Sequence, residues 1–236
     1  KADECYLALY GSSTQSIDDD GLWYSPDGSQ PFVTSGTKWG AGSPFAGGTN
    51  IPGPGIPGGT VTYSFMANGV DNGAEGSDAN LSLSSLPTFS ACFLAEITNA
   101  FAAWSAVANI RFVQVADNGV AFNAPGAAGD IRIGSHTHDG PSAVLAHAFY
   151  PPPNGNTAAG DLHFDRAENW SCAAGPGSID IGIVAIHEIG HSIGLKHEQT
   201  QPAIMQPYYN PAATAPLADD ISAASSIYGA ALPLRR

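Results

Sequence analysis

Two histidines four residues apart, a glutamate directly after the first and a third histidine six residues after the second constrain this chain more than any other feature. The segment reads His187-Glu188-Ile189-Gly190-His191-Ser192-Ile193-Gly194-Leu195-Lys196-His197. On an α-helix, positions i and i+4 project from one face a turn apart, so His187 and His191 can reach a single Zn²⁺. Glu188 falls on the neighbouring face, where it is placed to deprotonate a water rather than to act as a fourth ligand. His197 can return to the same ion only if the chain turns sharply after His191, and Gly194 tolerates the positive φ that such a turn uses. Three protein ligands leave one coordination position open.

The surroundings argue for burial. Ile179, Ile181, Ile183, Val184, Ile186, Ile189 and Ile193 make the helix apolar nearly all round. Burying His187, Glu188 and His191 without partners would cost several kcal/mol, on the order of 2–7 for each polar group. No Lys or Arg lies between Ser178 and Leu195 to compensate Glu188. A metal ion is the simplest compensation.

Other segments extend the pattern. Phe89, Phe93, Ile97, Phe101 and Trp104 mark an amphipathic helix that begins near Pro87 and Thr88. Ile110–Val115, Asp130–Ile133 and Asp161–Asp165 alternate like strands, and Tyr6–Tyr10 reads as a further one. Strands with an intervening helix, followed by two more helices, imply an α+β domain with a twisted mixed sheet backed by helices. Residues 40–60 and Asn68–Asn80 are Gly-rich and read as irregular surface loops; Asp18–Asp20 reads as a solvated loop and Ser25–Gly28 as a turn.

The chain resembles a metzincin metallopeptidase, and within that group a matrixin catalytic domain, from about Lys38 to Gly229. Val61–Phe65 resembles the family's first strand and Phe101–Ser105 the middle of its first helix. Ala203-Ile-Met205-Gln-Pro207 resembles the Met-turn, and Leu217–Gly229 the last helix. The resemblance implies a five-stranded mixed sheet, an active-site helix and a C-terminal helix, with residues 1–36 as an N-terminal extension and 37–236 as the catalytic domain. It implies a zinc endopeptidase in which Glu188 is the general base, His187, His191 and His197 hold the catalytic zinc, and Met205 lies beneath the metal. Pro207 and Tyr209 match the wall of the main specificity pocket. Residues 143–148 match the rim on which an extended substrate adds as a strand.

Of seven histidines, the four outside the motif are His136, His138, His147 and His163. By the same resemblance, His147 and His163 match two ligand segments of a structural zinc and His136 a third. The family's aspartate two residues after that first histidine is replaced here by His138, with Asp139 next, and either is a candidate for its role. Asp139, Asp165 and Glu168 match carboxylate ligands of one calcium site, and Asp130 and Asp161 those of another; hard oxygen donors suit that ion.

Composition narrows the partners. The chain has 236 residues, 43% of them hydrophobic, and a net charge of −13 with only 8 Lys and Arg. Such a balance disfavours nucleic acid and anionic membranes, suits cations, and equally serves solubility. No apolar run approaches the length of a membrane span. The first residues do not form a signal peptide, so the chain is expected to be already processed, secreted and monomeric, with protein or peptide substrates. Asn80-Leu-Ser82 and Asn169-Trp-Ser171 are glycosylation sequons.

Three cysteines fit an exported protein with one disulfide, or three inert thiols. Cys5 is read as a disulfide partner or a free thiol rather than as a thiolate capping the zinc, because the Arg, Pro and Gly of the family's switch motif are absent around it. The alternative to an active peptidase is a latent or inactive metal-binding scaffold, and the presence of Glu188 speaks for the enzyme.

Overall fold

The computed structural model describes residues 2–6, 32–39, 60–72, 78–152 and 157–232. The Asp18–Asp20, Ser25–Gly28 and Ile51–Gly59 expectations, and Leu7–Tyr10 of the expected first strand, lie outside them. Eight strands and three α-helices follow in order: β1 Ala2–Tyr6, β2 Thr60–Phe65, α1 Cys92–Val107, β3 Arg111–Gln114, β4 Ile131–His136, β5 Val144–Phe149, β6 Leu162–Asp165, β7 Trp170–Ser171, β8 Ile179–Asp180, α2 Ile181–Ser192 and α3 Ala218–Tyr228.

Five strands form the expected mixed sheet in the order β5-β6-β4-β2-β3. β3, β2, β4 and β6 run parallel, and β5 turns back antiparallel to β6 along one edge. A sixth strand, β1, adds antiparallel to the outer side of β5. β4 is central and buried along its whole length, as a parallel strand covered on both faces must be.

That burial includes Arg132, whose side chain is fully enclosed. Its guanidinium grips the Asp117 carboxylate with two hydrogen bonds, Nε to Oδ2 at 2.8 Å and Nη2 to Oδ1 at 3.0 Å, and Nη2 also donates to the Val120 carbonyl. Burial alone would push the Asp117 carboxyl up, but hydrogen bonds from Arg132, Gly119 and Ala67 outweigh it and hold the group below its ordinary value. The pair ties the loop after β3 to the centre of the sheet.

The helix expected from Thr88 begins at Cys92 instead. Pro87–Ala91 form turns, in which the Phe89 amide bonds to the Leu86 carbonyl, and Phe89 is left exposed against the ring of Phe93. Further along, Phe93, Ile97, Phe101 and Trp104 are buried at helical spacing. Trp104 carries its indole N–H to the Ile186 carbonyl of α2 at 2.8 Å, so the two helices are joined by a directed bond as well as by packing. α1 is also stapled to the segment after β7 by the disulfide Cys92–Cys172, which closes 80 residues of chain. This settles one pairing that the sequence left open.

α3 begins with an acidic pair used in two ways. Asp220 accepts from the amides of Leu217, Ile204 and Met205, at 2.7, 2.7 and 3.2 Å, capping its own helix and anchoring the loop before it. Asp219 is buried beside Glu198 and Asp220, and burial together with those charges pushes its carboxyl up to about 6.

Two predictions follow from this packing. Arg132→Ala removes the only cation paired with the buried Asp117 carboxylate among the described residues, leaving it hydrogen bonds from Gly119, Ala67 and Ser64, and is expected to cost about 3–5 kcal/mol of unfolding free energy, measured by urea denaturation. Asp219 binds its proton more tightly folded than unfolded, so it favours the fold below pH 4 and penalises it as pH rises through about 6. Asp219→Asn should therefore melt higher than the parent at pH 8, with the gap closing by pH 4. An equal gap at both values would refute the assignment.

Candidate metal centre

α2 is buried at every position from Ile181 to Ser192. Its start is capped by Asp180, whose Oδ1 accepts from the Gly182 and Ile183 amides at 2.8 and 3.3 Å. The expected turn occurs at its end, where Gly194 has φ +106° and the Leu195 amide returns to the Gly190 carbonyl at 3.0 Å. A Cβ on Gly194 would collide with the Thr37 carbonyl. The turn is clamped from outside by Val33–Trp39. Ser35 donates its amide to Gly194 O, the Lys196 amide reaches Val33 O, and the Trp39 indole donates to Ser192 O at 2.7 Å. Tyr228 at the end of α3 completes the clamp, donating its hydroxyl to Ile193 O at 2.8 Å while accepting from the Trp39 amide.

This turn delivers His197 to the other two imidazoles. The Nε2 atoms of His187, His191 and His197 lie 3.0, 3.2 and 3.3 Å apart. Tetrahedral Zn–N bonds of about 2.0–2.1 Å imply N···N separations of about 3.3–3.4 Å, close to this triangle. Tautomers make the case stronger. His187 Nδ1 sits 2.8 Å from Ile204 O and His191 Nδ1 sits 2.8 Å from Leu195 O. A carbonyl only accepts, so both rings carry their proton on Nδ1 and turn a lone pair on Nε2 toward the shared centre. Burial, aided by neighbouring imidazole charge, pushes His187 down to about 3 and holds His191 well below its ordinary value, keeping both neutral as ligands require. Lone pairs aimed at one point in an enclosed space fit a cation. Glu188, fully buried, is next to the first ligand on the same helix.

Met205 is buried, with 2% of its surface exposed, against Gly190 between the two helical histidines. A Cβ on Gly190 would overlap its Sδ, so the glycine between the two helical ligands is what lets the methionine approach. The Met205 loop is also where α3 meets the metal centre. Asp220 holds the Ile204 amide, and the carbonyl of the same residue receives the His187 proton. Beside His187 a cavity is lined by Ile183, Val184, Ile204, Tyr208, Tyr209 and Ala213, among others. Tyr209 thus sits in the wall, its hydroxyl accepting from the Asp180 amide at 3.0 Å, while Pro207 is not among the lining residues.

The second histidine cluster gathers His136 at the end of β4 and His138 just beyond it with His147 of β5 and His163 of β6. His136, His138 and His147 offer ring nitrogens all within 4.8 Å of one another. His163 lies alongside, its Nδ1 3.2 Å from His147 Nε2. His138 therefore takes a place in the cluster. Asp139 and Asp165 do not join it: Asp139 accepts from the Val144 amide, and Asp165 from the amides of His138 and Ala167. Asp139, Asp165 and Glu168 instead surround the loop 139–144, where Glu168 accepts from the Ser142 amide. Burial, and then the charges of Asp165 and Asp139, raise the Glu168 carboxyl. Asp130 and Asp161 have separate partners, Asp130 accepting from the Thr62 amide and hydroxyl and Asp161 from the Arg132 amide.

Trp39, Tyr228 and Asp220 serve the metal centre from outside the motif, and no spacing rule links them to it. Asp220 and Tyr228 fall in the segment that resembles the last helix, and Trp39 is a large side chain in a glycine-rich stretch.

Comparison with known proteins agrees with this geometry. The matrixin family model matches residues 87–229. Karilysin of Tannerella forsythia is 43% identical over 141 residues, covering 56% of this chain and 28% of karilysin. Hatching enzyme of Paracentrotus lividus is 35% identical over 187 residues, covering 76% of this chain and 24% of that enzyme. Human matrix metalloproteinase-26 is 39% identical over 144 residues, covering 56% of this chain and 50% of its own length. The chain thus spans half or less of these relatives. With the motif, the triad, the buried methionine and the last helix all inside or adjoining the matched region, the chain belongs to the matrixin family.

Proposed function

We propose that this chain is a secreted zinc-dependent endopeptidase that hydrolyses peptide bonds in extended polypeptides. The observation that carries the reading is the triangle of buried Nε2 atoms with a buried glutamate beside it. Zinc held there supplies a Lewis acid that acidifies a water and polarises the scissile carbonyl. Glu188 takes the water's proton and returns it to the leaving amine, one carboxylate serving as base and then as acid. His187 and His191 are kept in the ligating tautomer by Ile204 and Leu195, so neither ring can take the proton in place of Glu188. The cavity beside His187, with Ile183, Val184 and Ile204 in its wall, suits an apolar side chain next to the cut.

A structural zinc held by His136, His138, His147 and His163, and a calcium at Asp139, Asp165 and Glu168, would fasten the 137–143 loop to the sheet. The Cys92–Cys172 disulfide supports export to an oxidising compartment. The presence of the buried Glu188 carboxylate beside the triad favours an enzyme over a binding-only scaffold.

Casein cleavage by the parent and by Glu188→Ala, with and without a chelator, tests the reading. Glu188→Ala should lower kcat/KM by roughly 10²–10⁴-fold, and the chelator should abolish cleavage. Activity surviving both would sink the assignment. Metal analysis tests the second site separately: His147→Ala should bind about one zinc where the parent binds about two.

A further inference from the structure

β5 is the sheet edge beside the metal centre. It packs on α2, and Tyr150, the residue after it, sets its ring edge-on to His191 with centroids 5.9 Å apart. The outer side of such a strand presents a row of backbone donors and acceptors able to bind an extended polypeptide by strand addition. That row is already taken. β1 pairs antiparallel along it, with Ala2 opposite Phe149, Asp3 opposite Ala148, Glu4 opposite His147, Cys5 opposite Ala146 and Tyr6 opposite Val144. The register slips between Cys5 and Tyr6, leaving Leu145 without a partner in the ladder. β1 also contacts α2, the helix carrying His187, Glu188 and His191.

We infer that Ala2–Tyr6 is a resident occupant of the strand position that a polypeptide substrate must take, and that it restrains the chain's own activity by competing for that edge. An edge pairs with one strand at a time, so the two exclude each other. β1 is covalently attached through residues 7–31, which gives it an effective concentration of order millimolar, against which a free substrate must compete. The block lies in backbone pairing rather than in the Cys5 thiol. The inference rests on the endopeptidase reading for its consequence, though not for the pairing itself.

Two measurements on the full 236-residue chain test it. Asp3→Pro/Glu4→Pro removes two consecutive amide donors, one of which must face β5. This variant should show a KM for a peptide substrate lower by roughly tenfold or more, with kcat unchanged. Cys5→Ser should leave KM where it was. In a Glu188→Ala background, which prevents cleavage of β1 during the measurement, hydrogen exchange should show the outward amides of β5 protected in the parent and released by the proline pair. Exchange in β4 and β6 should stay unchanged, which establishes that the variant is folded; deletion of residues 1–6 should reproduce the release. Equal KM and equal β5 exchange with and without the prolines overturn the inference while leaving the endopeptidase reading intact. A fall in KM caused by Cys5→Ser alone also overturns it, because the thiol would then be the blocking group. If neither chain cleaves peptide but the prolines release β5, the endopeptidase reading fails and the strand pairing stands.

Discussion

Two hydrogen bonds, from His187 Nδ1 to Ile204 O and from His191 Nδ1 to Leu195 O, set the chemistry on which the centre depends. Each spends a ring's only proton on a backbone carbonyl and leaves the other nitrogen as a lone pair aimed at a common point. Neither carbonyl belongs to α2. Leu195 is placed by the glycine turn that follows the helix, and Ile204 by the Asp220 carboxylate of α3. The geometry of the ligands is therefore an outcome of how the helix end, the methionine loop and the last helix meet.

This explains why the turn at Gly194 is so heavily tied. Helix C-termini leave carbonyls without intrahelical partners. Here Ser192, Ile193 and Gly194 give theirs to Trp39, Tyr228 and Ser35, three groups distant in sequence. The same bonds that satisfy buried carbonyls fix the position of His197. Satisfying the backbone and building the metal site are one structural act.

Charge is organised on the same principle. Three buried carboxylates have a cation or several amides to offset their enclosure: Asp117 has Arg132, Asp220 has three amides, and Asp165 has two. Asp219 and Glu168 are among those raised by burial and by neighbouring carboxylates. With an overall charge of −13, the acidic excess is concentrated partly inside, where it matters for metal binding and stability, and not only on the solvated face.

The helix bearing the motif, the positive-φ turn and the strand segments were legible from residues alone, because helical and strand periodicity and glycine stereochemistry are local properties, whereas the role of Met205 came only from the family resemblance. The spacing of His187, His191 and His197 by itself determined that a three-imidazole site was possible. It did not determine tautomers, which depend on carbonyls brought from Leu195 and Ile204. The start of α1 was misplaced by four residues because the apolar spacing continues through Phe89, whereas the turns after Pro87 leave that ring in solvent. Only the tertiary structure decided that Cys92 pairs with Cys172, that His138 rather than Asp139 approaches the second histidine cluster, and that Ala2–Tyr6 lies on the edge of β5. Each of these is a contact between segments far apart in the chain, and no periodicity records which distant segment a side chain or a strand edge will meet.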